Sequence, residues 1–284
     1  MDLKLLMTGR GNSGSWKIRG EQLGAAIGAH VEANINSVKG FDLAVVVKRP
    51  RDDLLERLRQ RRIPVVWDVV DAWPQPQGNE WTREECLLWL DAQVDKIKPF
   101  AIVAATKAMA ADCERYDLPV LFVPHHARPG QRVNPIRARV KRVGYEGGEQ
   151  YLNGWRGKIE RACEARGLQF ELNPASLADV DIVLALRDQT GYAPRNWKSG
   201  VKLANAQGSG TPCIVGREAG YVELSTSVEC WADDEAELAV ALDELAPQYI
   251  RQAAQIAMLD GAPSLEGVAR AYQSWLSKLA PSSS

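Results

Sequence analysis

Residues 197–223 read WKSGVKLANAQGSGTPCIVGREAGYVE, and this stretch decides the fold. The small and apolar residues from Ser199 to Gly208 predict a helix, which ends at the turn Gly210-Thr211-Pro212. The apolar run that follows, up to Val215, predicts a buried strand. A helix that returns through a tight turn to a short apolar strand is typical of α/β proteins with a parallel sheet.

The same alternation of short apolar runs and helical patterns extends through the rest of the chain. Further strands are predicted at Leu3–Thr8, Leu43–Val47, Val65–Val70, Ala101–Ala105, Val120–Val123, Val140–Val143, Gln169–Leu172 and Ile182–Leu186. Further helices are predicted at Ile18–Ala29, Asp52–Arg62, Asn79–Ile97, Ala108–Tyr116, Gln150–Arg166, Asp234–Glu244 and Leu265–Leu279. Residues 127–139, rich in Arg, Pro, Gly and Asn, are typical of an interdomain linker. We therefore expect two Rossmann-like α/β halves.

Composition narrows the class of protein. The 284 residues include 35 Lys+Arg, 36 Asp+Glu and 45% apolar residues, which excludes disordered and fibrous chains. A net charge of -1 removes the simplest argument for a nucleic-acid binder. The five cysteines form no CxxC pair, so we expect a reducing, cytoplasmic setting without structural zinc or disulfides. No apolar stretch is long enough for a signal peptide or a membrane span, and we expect neither.

The first candidate site is the loop GRGNSG at residues 9–14, between the first predicted strand and helix. Backbone N–H groups of Gly11, Asn12 and Ser13 are placed to receive an anion, and Arg10 is a candidate acceptor-binding residue. The spacing is neither a Walker A loop nor the dinucleotide G-x-G-x-x-G pattern. A plain tight turn remains the alternative.

Two further candidate sets follow predicted strands, where open α/β sheets bind ligands. Asp68 and Asp71 come at the end of the third strand, where a carboxylate serves as a general base or holds a substrate hydroxyl. The alternative is that these carboxylates cap a following helix. His125 and His126 end a later strand and are candidate acceptor contacts, although no acidic or cysteine neighbour suggests a metal site.

Lys198 and Lys202 make the most specific pattern, because they stand one helical turn apart at the start of a predicted helix. Two cations and the helix dipole at that point favour a diphosphate. A solvated helix face is the alternative. The loop at residues 218–223 follows the next strand and is predicted to line the same cleft.

Residues 202–223 resemble the nucleotide-sugar segment of GT-B fold glycosyltransferases, whose usual form is E-A-M-A-x-G-T-P-V-I-x-x-x-x-G-G-x-x-E. The stretches GTPCI at 210–214 and GYVE at 220–223 match it in order and spacing. PVVW at 64–67 with DAWP at 71–74 resembles the family's P-V-V-W-T-x-H-D-x-W-P. VPHH, which begins at Val123, is similar to the turn that ends the family's N-terminal domain.

The resemblance implies a GT-B fold, with two Rossmann-like domains whose parallel sheets face each other across a cleft. Residues 1–130 would form the acceptor-side domain, residues 139–264 the nucleotide-sugar domain, and residues 265–280 a helix that returns to the N-terminal domain. The implied reaction moves a hexosyl or related sugar from a UDP- or GDP-linked donor to a hydroxyl of a saccharide, a small molecule or DNA. Because no Asp-x-Asp pair is visible at a suitable strand end, we expect no obligatory metal or other cofactor.

Strand-end positions and the resemblance together assign candidate roles. The candidate catalytic residues are Asp68, Asp71, Lys198 and Lys202. The candidate donor-binding residues are Gly11, Asn12, Ser13, Gly148, Arg187, Asn205, Gly220, Tyr221 and Glu223. The candidate acceptor-binding residues are Arg10, Trp73, His125 and His126. Trp155 and Trp197 are, like Trp73, placed where a sugar or base could stack.

The chain also departs from the family pattern. Asn205 stands where the family has its ribose-binding glutamate, Trp197 where it has the preceding acid, and Val70 where it has a histidine. An inactive GT-B-like binding module for nucleic acid or a partner, and a sugar-nucleotide epimerase, are therefore the alternatives. A cluster of arginines supports DNA as an acceptor, unless it is simply a solvated helix face. These are Arg49, Arg51, Arg57, Arg59, Arg61 and Arg62.

Overall fold

A computed structural model describes residues 3–71, 80–187 and 190–279. The chain divides into two compact units. The first comprises Met1–His125, Gly191–Ser199 and Leu265–Ser284, and the second comprises His126–Thr190 and Gly200–Ser264.

The first unit contains a six-stranded, fully parallel sheet with the order β2-β1-β3-β4-β5-β6. Its strands are β1 Leu5–Gly9, β2 His30–Ala33, β3 Leu43–Val47, β4 Val65–Asp68, β5 Ala101–Ala104 and β6 Val120–Phe122. The four strands β1, β3, β4 and β5 are buried along their whole length. Strands covered on both faces read as continuous apolar runs, which is why the sequence predicts them well.

Helices cover both faces of this sheet. They are α1 Trp16–Leu23, α2 Asp52–Gln60, α3 Arg83–Ile97, α4 Lys107–Cys113 and α11 Leu265–Leu279. Helix α1 is π-helical and continues in one α-helical turn at Gly24–Ala26. One core contains Leu54 and Leu58 of α2 and Leu90 of α3. The opposite core contains Leu23 of α1 and Tyr272 of α11. The C-terminal helix thus packs as part of the first unit.

Residues 191–199 also pack in the first unit, whereas the sequence interpretation included them in the second domain. They contain the short helix α6, Tyr192–Asn196. The buried carboxylate of Asp112 accepts hydrogen bonds from the Tyr192 hydroxyl at 2.8 Å and from Trp197 Nε1 at 2.8 Å. It also accepts from Arg83 Nη2 at 2.7 Å. The bonds from Tyr192 and Trp197, together with the burial of Trp197, anchor the segment here.

The second unit contains a five-stranded parallel sheet with the order β11-β10-β9-β7-β8. Its strands are β7 Arg142–Tyr145, β8 Gln169–Leu172, β9 Ile182–Ala185, β10 Cys213–Val215 and β11 Cys230–Trp231. Its helices are α5 Asn153–Glu164, α7 Val201–Ser209, α8 Ala219–Val222, α9 Glu235–Glu244 and α10 Gln248–Gly261. One core contains Ile159 of α5 and Leu238 of α9, and the other contains Leu203 of α7 and Met258 of α10. The expected α/β architecture with two parallel sheets is confirmed.

Element boundaries differ from the predictions in a few places, and the physical reasons are local. The first helix ends before Ala29 because Gly28 adopts a φ of 74°, a left-handed conformation that ends the helix and that glycine adopts most readily. Edge strand β2 went unpredicted, because its residues alternate between exposed and half-buried positions. Helix α10 also went unpredicted.

Among the described residues, no helix has both the length and the apolarity that crossing a bilayer requires.

Candidate functional site

In the second unit, polar side chains collect where the central strands β7, β9 and β10 end. Tyr145 is the last residue of β7, Arg187 lies two residues after β9, and Glu218 follows β10. Because all three strands are parallel, their carboxyl ends lie at one edge of the sheet, which is where open α/β sheets bind ligands.

Arg187 is the buried cation of this edge, with a side chain only 3% exposed. Its Nη2 donates to the Tyr221 hydroxyl at 2.7 Å, and its Nε lies 3.6 Å from Glu218 Oε1. Burial disfavours the charged guanidinium, but Glu218 and Tyr221 outweigh it and raise the pKa of Arg187, so the group stays cationic. Nη1 donates to no described residue, although it is buried. Arg187 thus keeps an unused donor at this buried position.

Lys202, on the first turn of α7, is a second cation at this edge. Its Nζ lies 4.4 Å from the centroid of the Tyr145 ring and donates to the carbonyl of Glu146. Gly147, with a φ of 143°, leaves the space that the ammonium group needs, because a Cβ there would collide with Nζ. Burial raises the pKa of Tyr145 to about 12, so its hydroxyl stays protonated.

Asn205 lies one turn further along α7 and is almost fully buried. Its Oδ1 accepts a hydrogen bond from the backbone N–H of Arg128 at 3.0 Å. Its Nδ2 donates to Glu146 Oε2 at 3.3 Å, and the other oxygen of Glu146 accepts from Arg128 Nη2. The amide therefore holds a neighbouring carboxylate in place.

Other donor-binding candidates lie along the same edge of the second unit. Gly148 follows β7 in the loop that contains Gly147. Gly220 and Tyr221 belong to α8, and Glu223 directly follows it. The Gly220 carbonyl packs so closely on Gly200 that a Cβ at Gly200 would collide with it. Tyr221 is fully buried, and its hydroxyl is engaged by Arg187.

Lys198 and Lys202 do not share a helix face, contrary to the sequence interpretation. Helix α7 begins at Val201, after Gly200 at its N-cap, so Lys198 precedes the helix. Lys198 belongs to the first unit, where its Nζ lies 3.4 Å from Asp71 Oδ2. Trp197 is buried in the core of the first unit that contains Leu54 and Leu90, which explains why the chain stays in this unit until helix α7 starts.

Asp71 lies between two lysines in the first unit. Lys48 Nζ is 2.8 Å from Asp71 Oδ1 and 3.4 Å from the hydroxyl of Ser15, and Lys198 completes the cluster. Burial opposes ionisation, but the charges of Lys198 and Lys48 outweigh it and lower the pKa of Asp71 to about 2. Asp71 is therefore a fixed anion at neutral pH, and such a low pKa makes a carboxylate a weak general base.

Asp68 is fully buried rather than exposed at the sheet edge. Its Oδ2 lies 3.8 Å from Nε of the buried Arg19, and its Oδ1 accepts the backbone N–H of Val70 at 3.1 Å. Burial raises the pKa of Asp68. Arg19 also donates to the carbonyl of Val123 and so joins the ends of β4 and β6 to helix α1. These contacts place Asp68 in an internal network.

The glycine loop at residues 9–14 follows β1, as expected. Gly11 and Asn12 have positive φ values, 71° and 52°. The Ser13 hydroxyl accepts the backbone N–H of Trp16 at 3.1 Å, which helps to start α1. Arg10 is exposed, and its Nε donates to the carbonyl of Arg49 at 3.1 Å.

The remaining acceptor candidates have different surroundings. His125 and His126 are both buried, and the boundary between the two units falls between them, with His125 in the first and His126 in the second. Trp73 lies outside the described residues. Trp155 and Trp197 are buried, which argues against the predicted stacking on a ligand.

Several residues of these clusters were missed by sequence reasoning, among them Lys48, Tyr145 and Glu146. Lys48 directly follows the apolar run LAVVV of β3, and Glu146 directly follows β7. The available signal was a charged side chain directly after a buried strand.

Within residues 3–71, 80–187 and 190–279, no three His, Cys, Asp or Glu side chains are grouped so that they could hold a metal ion.

Comparison with known proteins gives a fold. No protein-family model matches the sequence, and no curated protein matches it. The structure of Anabaena HepE in complex with UDP-glucose superposes with a TM-score of 0.66 at 12% identity, covering 98% of this chain and 100% of HepE. Sucrose-phosphate synthase from Thermosynechococcus elongatus gives a TM-score of 0.64 at 12% identity, covering 98% and 99%. A glycosyltransferase structure from Rickettsia africae superposes with a TM-score of 0.64 at 10% identity, and the match covers 100% of both chains. The fold is that of GT-B glycosyltransferase structures.

Proposed function

We propose that this protein is a glycosyltransferase that binds a nucleotide-diphosphate sugar at the carboxyl edge of the β7–β10 sheet. It transfers a hexosyl or related sugar to a hydroxyl acceptor bound by the first unit. The proposal is supported by the fold and by HepE, which is 12% identical to this chain and whose structures contain UDP and UDP-glucose. UDP-linked and GDP-linked sugars are the proposed donors.

The observation that carries the proposal is the pair of cations at this edge. Arg187 is buried, and neither its Nε nor its Nη1 donates a hydrogen bond to a described residue. Lys202 lies beside Tyr145 at the end of the neighbouring strand. Sugar transfer leaves negative charge on the departing diphosphate, and cations in a poorly solvated site stabilise it strongly. No obligatory divalent ion is then needed, and Gly11, Asn12 and Ser13 remain proposed donor contacts.

In the first unit, Asp71 is proposed to hold a hydroxyl group of the acceptor or the sugar. Its two lysine partners keep it ionised, and a carboxylate accepts hydrogen bonds from hydroxyl groups. A proton acceptor would need a pKa nearer to neutrality than the value of about 2 at Asp71.

A saccharide or small molecule is favoured as acceptor over DNA. The arginine cluster in and around α2 is partly neutralised by nearby carboxylates, because Arg51 and Arg57 bind Asp53 at 3.0 and 2.8 Å. Arg59 lies 3.8 Å from Glu56. A duplex containing hydroxymethylated bases, offered together with the donor, tests DNA directly.

The test is incubation with UDP-glucose, GDP-mannose and related donors, with calorimetry for binding and mass spectrometry for products. Binding followed by transfer to an added acceptor supports the proposal. Binding with no transfer, exchange or hydrolysis favours the inactive binding module. Formation of an epimeric sugar nucleotide without acceptor favours an epimerase. Absence of donor binding contradicts both the transferase and the epimerase, and salt-dependent retention on DNA would then favour the binding module.

A further inference from the structure

Glu146 is a carboxylate that two neighbours hold in one orientation. Arg128 donates to Oε1, and Asn205 Nδ2 donates to Oε2 at 3.3 Å. An ionised carboxylate has about four acceptor positions, so one contact on each oxygen leaves room for two more hydrogen bonds. The side chain is 27% exposed, so a ligand can reach it.

Asn205 is fixed so that it presents an N–H group, and not an oxygen, to Glu146. Its Oδ1 is occupied by the backbone N–H of Arg128 at 3.0 Å, which sets the orientation of the amide. An aspartate or glutamate at position 205 would have no N–H to donate and would repel Glu146. The amide and the carboxylate therefore act as a pair, with Asn205 as the positioning residue.

Glu146 stands beside the cation proposed to bind phosphate. Lys202 Nζ donates to the carbonyl of Glu146 itself and lies over the ring of the preceding residue, Tyr145. A carboxylate for hydroxyl groups and an ammonium group for phosphate thus occur at the end of one strand, β7. In doubly wound α/β domains, an acidic side chain of the nucleotide site commonly hydrogen-bonds ribose hydroxyls.

We infer that Glu146, held by Asn205 and Arg128, binds the vicinal hydroxyl pair of the ribose of a nucleoside diphosphate. The two carboxylate oxygens accept from the 2′ and 3′ hydroxyls while Lys202 contacts the phosphates. The inference rests on the proposed function and adds its substrate class, which is a ribonucleotide and not a deoxyribonucleotide. It assigns the binding of the ribose hydroxyls to a carboxylate outside the GT-B-like segment at 202–223.

The experiment measures the binding of UDP, GDP and ADP by calorimetry, and then of the 2′-deoxy and 3′-deoxy forms of whichever binds. The wild-type protein should bind the ribo form about tenfold more tightly than either deoxy form, because each lost hydroxyl removes a hydrogen bond to a charged group. In Glu146→Gln this preference should fall to about twofold or less, while inorganic pyrophosphate binds as before.

Two variants keep the test independent of folding. Glu160→Gln on α5 is the matched control, because it also removes a carboxylate paired with an arginine, Arg156 at 2.7 Å, and should keep the full ribose preference. Asn205→Ala should reduce the preference through Glu146, and it should add little in combination with Glu146→Gln. Thermal unfolding curves verify that each variant is folded.

The outcomes separate the two proposals. An unchanged ribose preference in folded Glu146→Gln overturns this inference and leaves the glycosyltransferase proposal standing. If the wild-type protein binds none of the three nucleoside diphosphates, both fall.

Discussion

Lys202 extends its ammonium group over the ring of Tyr145, with 4.4 Å between Nζ and the ring centroid. An ammonium group over an aromatic face is attracted to it, so the ring holds the charge at the sheet edge. The same ammonium donates to the carbonyl of Glu146, and Gly147 leaves room for it. Lys202 is therefore oriented before any ligand arrives.

Replacing Lys202 should weaken donor binding. Lys202→Ala removes a charge-assisted hydrogen bond to phosphate, and we expect an affinity loss of about tenfold to a hundredfold, equivalent to about 1.5–3 kcal/mol. Calorimetric titration with UDP or GDP measures it. Lys158→Ala is the matched control, because Lys158 also lies over an aromatic ring, that of Trp155, at 5.1 Å. Equal losses in both variants would show that Lys202 has no special role.

Arg187 should affect both stability and binding, and a double variant separates the two effects. Arg187→Met removes the cation that faces the largely buried carboxylate of Glu218, and breaking a buried pair costs about 3–5 kcal/mol. Arg187→Met/Glu218→Leu should recover most of the lost Tm but not nucleotide binding. A double variant that binds the donor normally would contradict the role of Arg187.

The Asp71 cluster should make the protein less stable in acid. The pKa of Asp71 in the folded protein is about 2, below its ordinary value of 3.8, so the stabilisation is complete above pH 4 and is lost as the pH falls towards 2. The shift corresponds to a contribution on the order of 2 kcal/mol. The Tm difference between wild type and Asp71→Asn should shrink between pH 7 and pH 3. A Tm difference that does not change with pH would refute this. The control is Asp91→Asn, which removes the carboxylate of a more exposed ion pair, that with Arg115.

Metal chelation should leave transfer unchanged, because in the proposed site Lys202 and Arg187 would supply the positive charge that a divalent ion otherwise brings to the diphosphate. Initial rates with EDTA, and with added magnesium or manganese after EDTA, measure this. A loss of rate in EDTA that manganese restores would show that a metal ion takes part.

Much of the fold follows from local pattern. The runs LAVVV of β3 and AIVA of β5 are apolar throughout because helices cover both faces of the sheet, and such runs are visible in a sequence. Edge strand β2 has no continuous run, because one side faces solvent. The position of Lys198 could not be inferred from its spacing to Lys202. It depends on the hydrogen bonds of Tyr192 and Trp197 to Asp112, a residue 80 or more positions away.

The sequence names candidate residues but not the partners of their side chains. Its strand ends point to residues such as Arg187, and the resemblance adds Asn205 on helix α7. The use of the Asn205 amide to hold Glu146 depends on the contact between the loop after β7 and helix α7, 59 residues apart in the chain. Likewise, the pairing of Asp71 with Lys48 depends on the neighbouring order of β3 and β4.

The most direct test of the central claim is a crystal structure of the protein with a bound nucleoside diphosphate. Phosphate oxygens should lie about 3 Å from Lys202 Nζ and within hydrogen-bond distance of Arg187 Nη1. A well-ordered diphosphate bound elsewhere, with both cations far from it, would contradict the account.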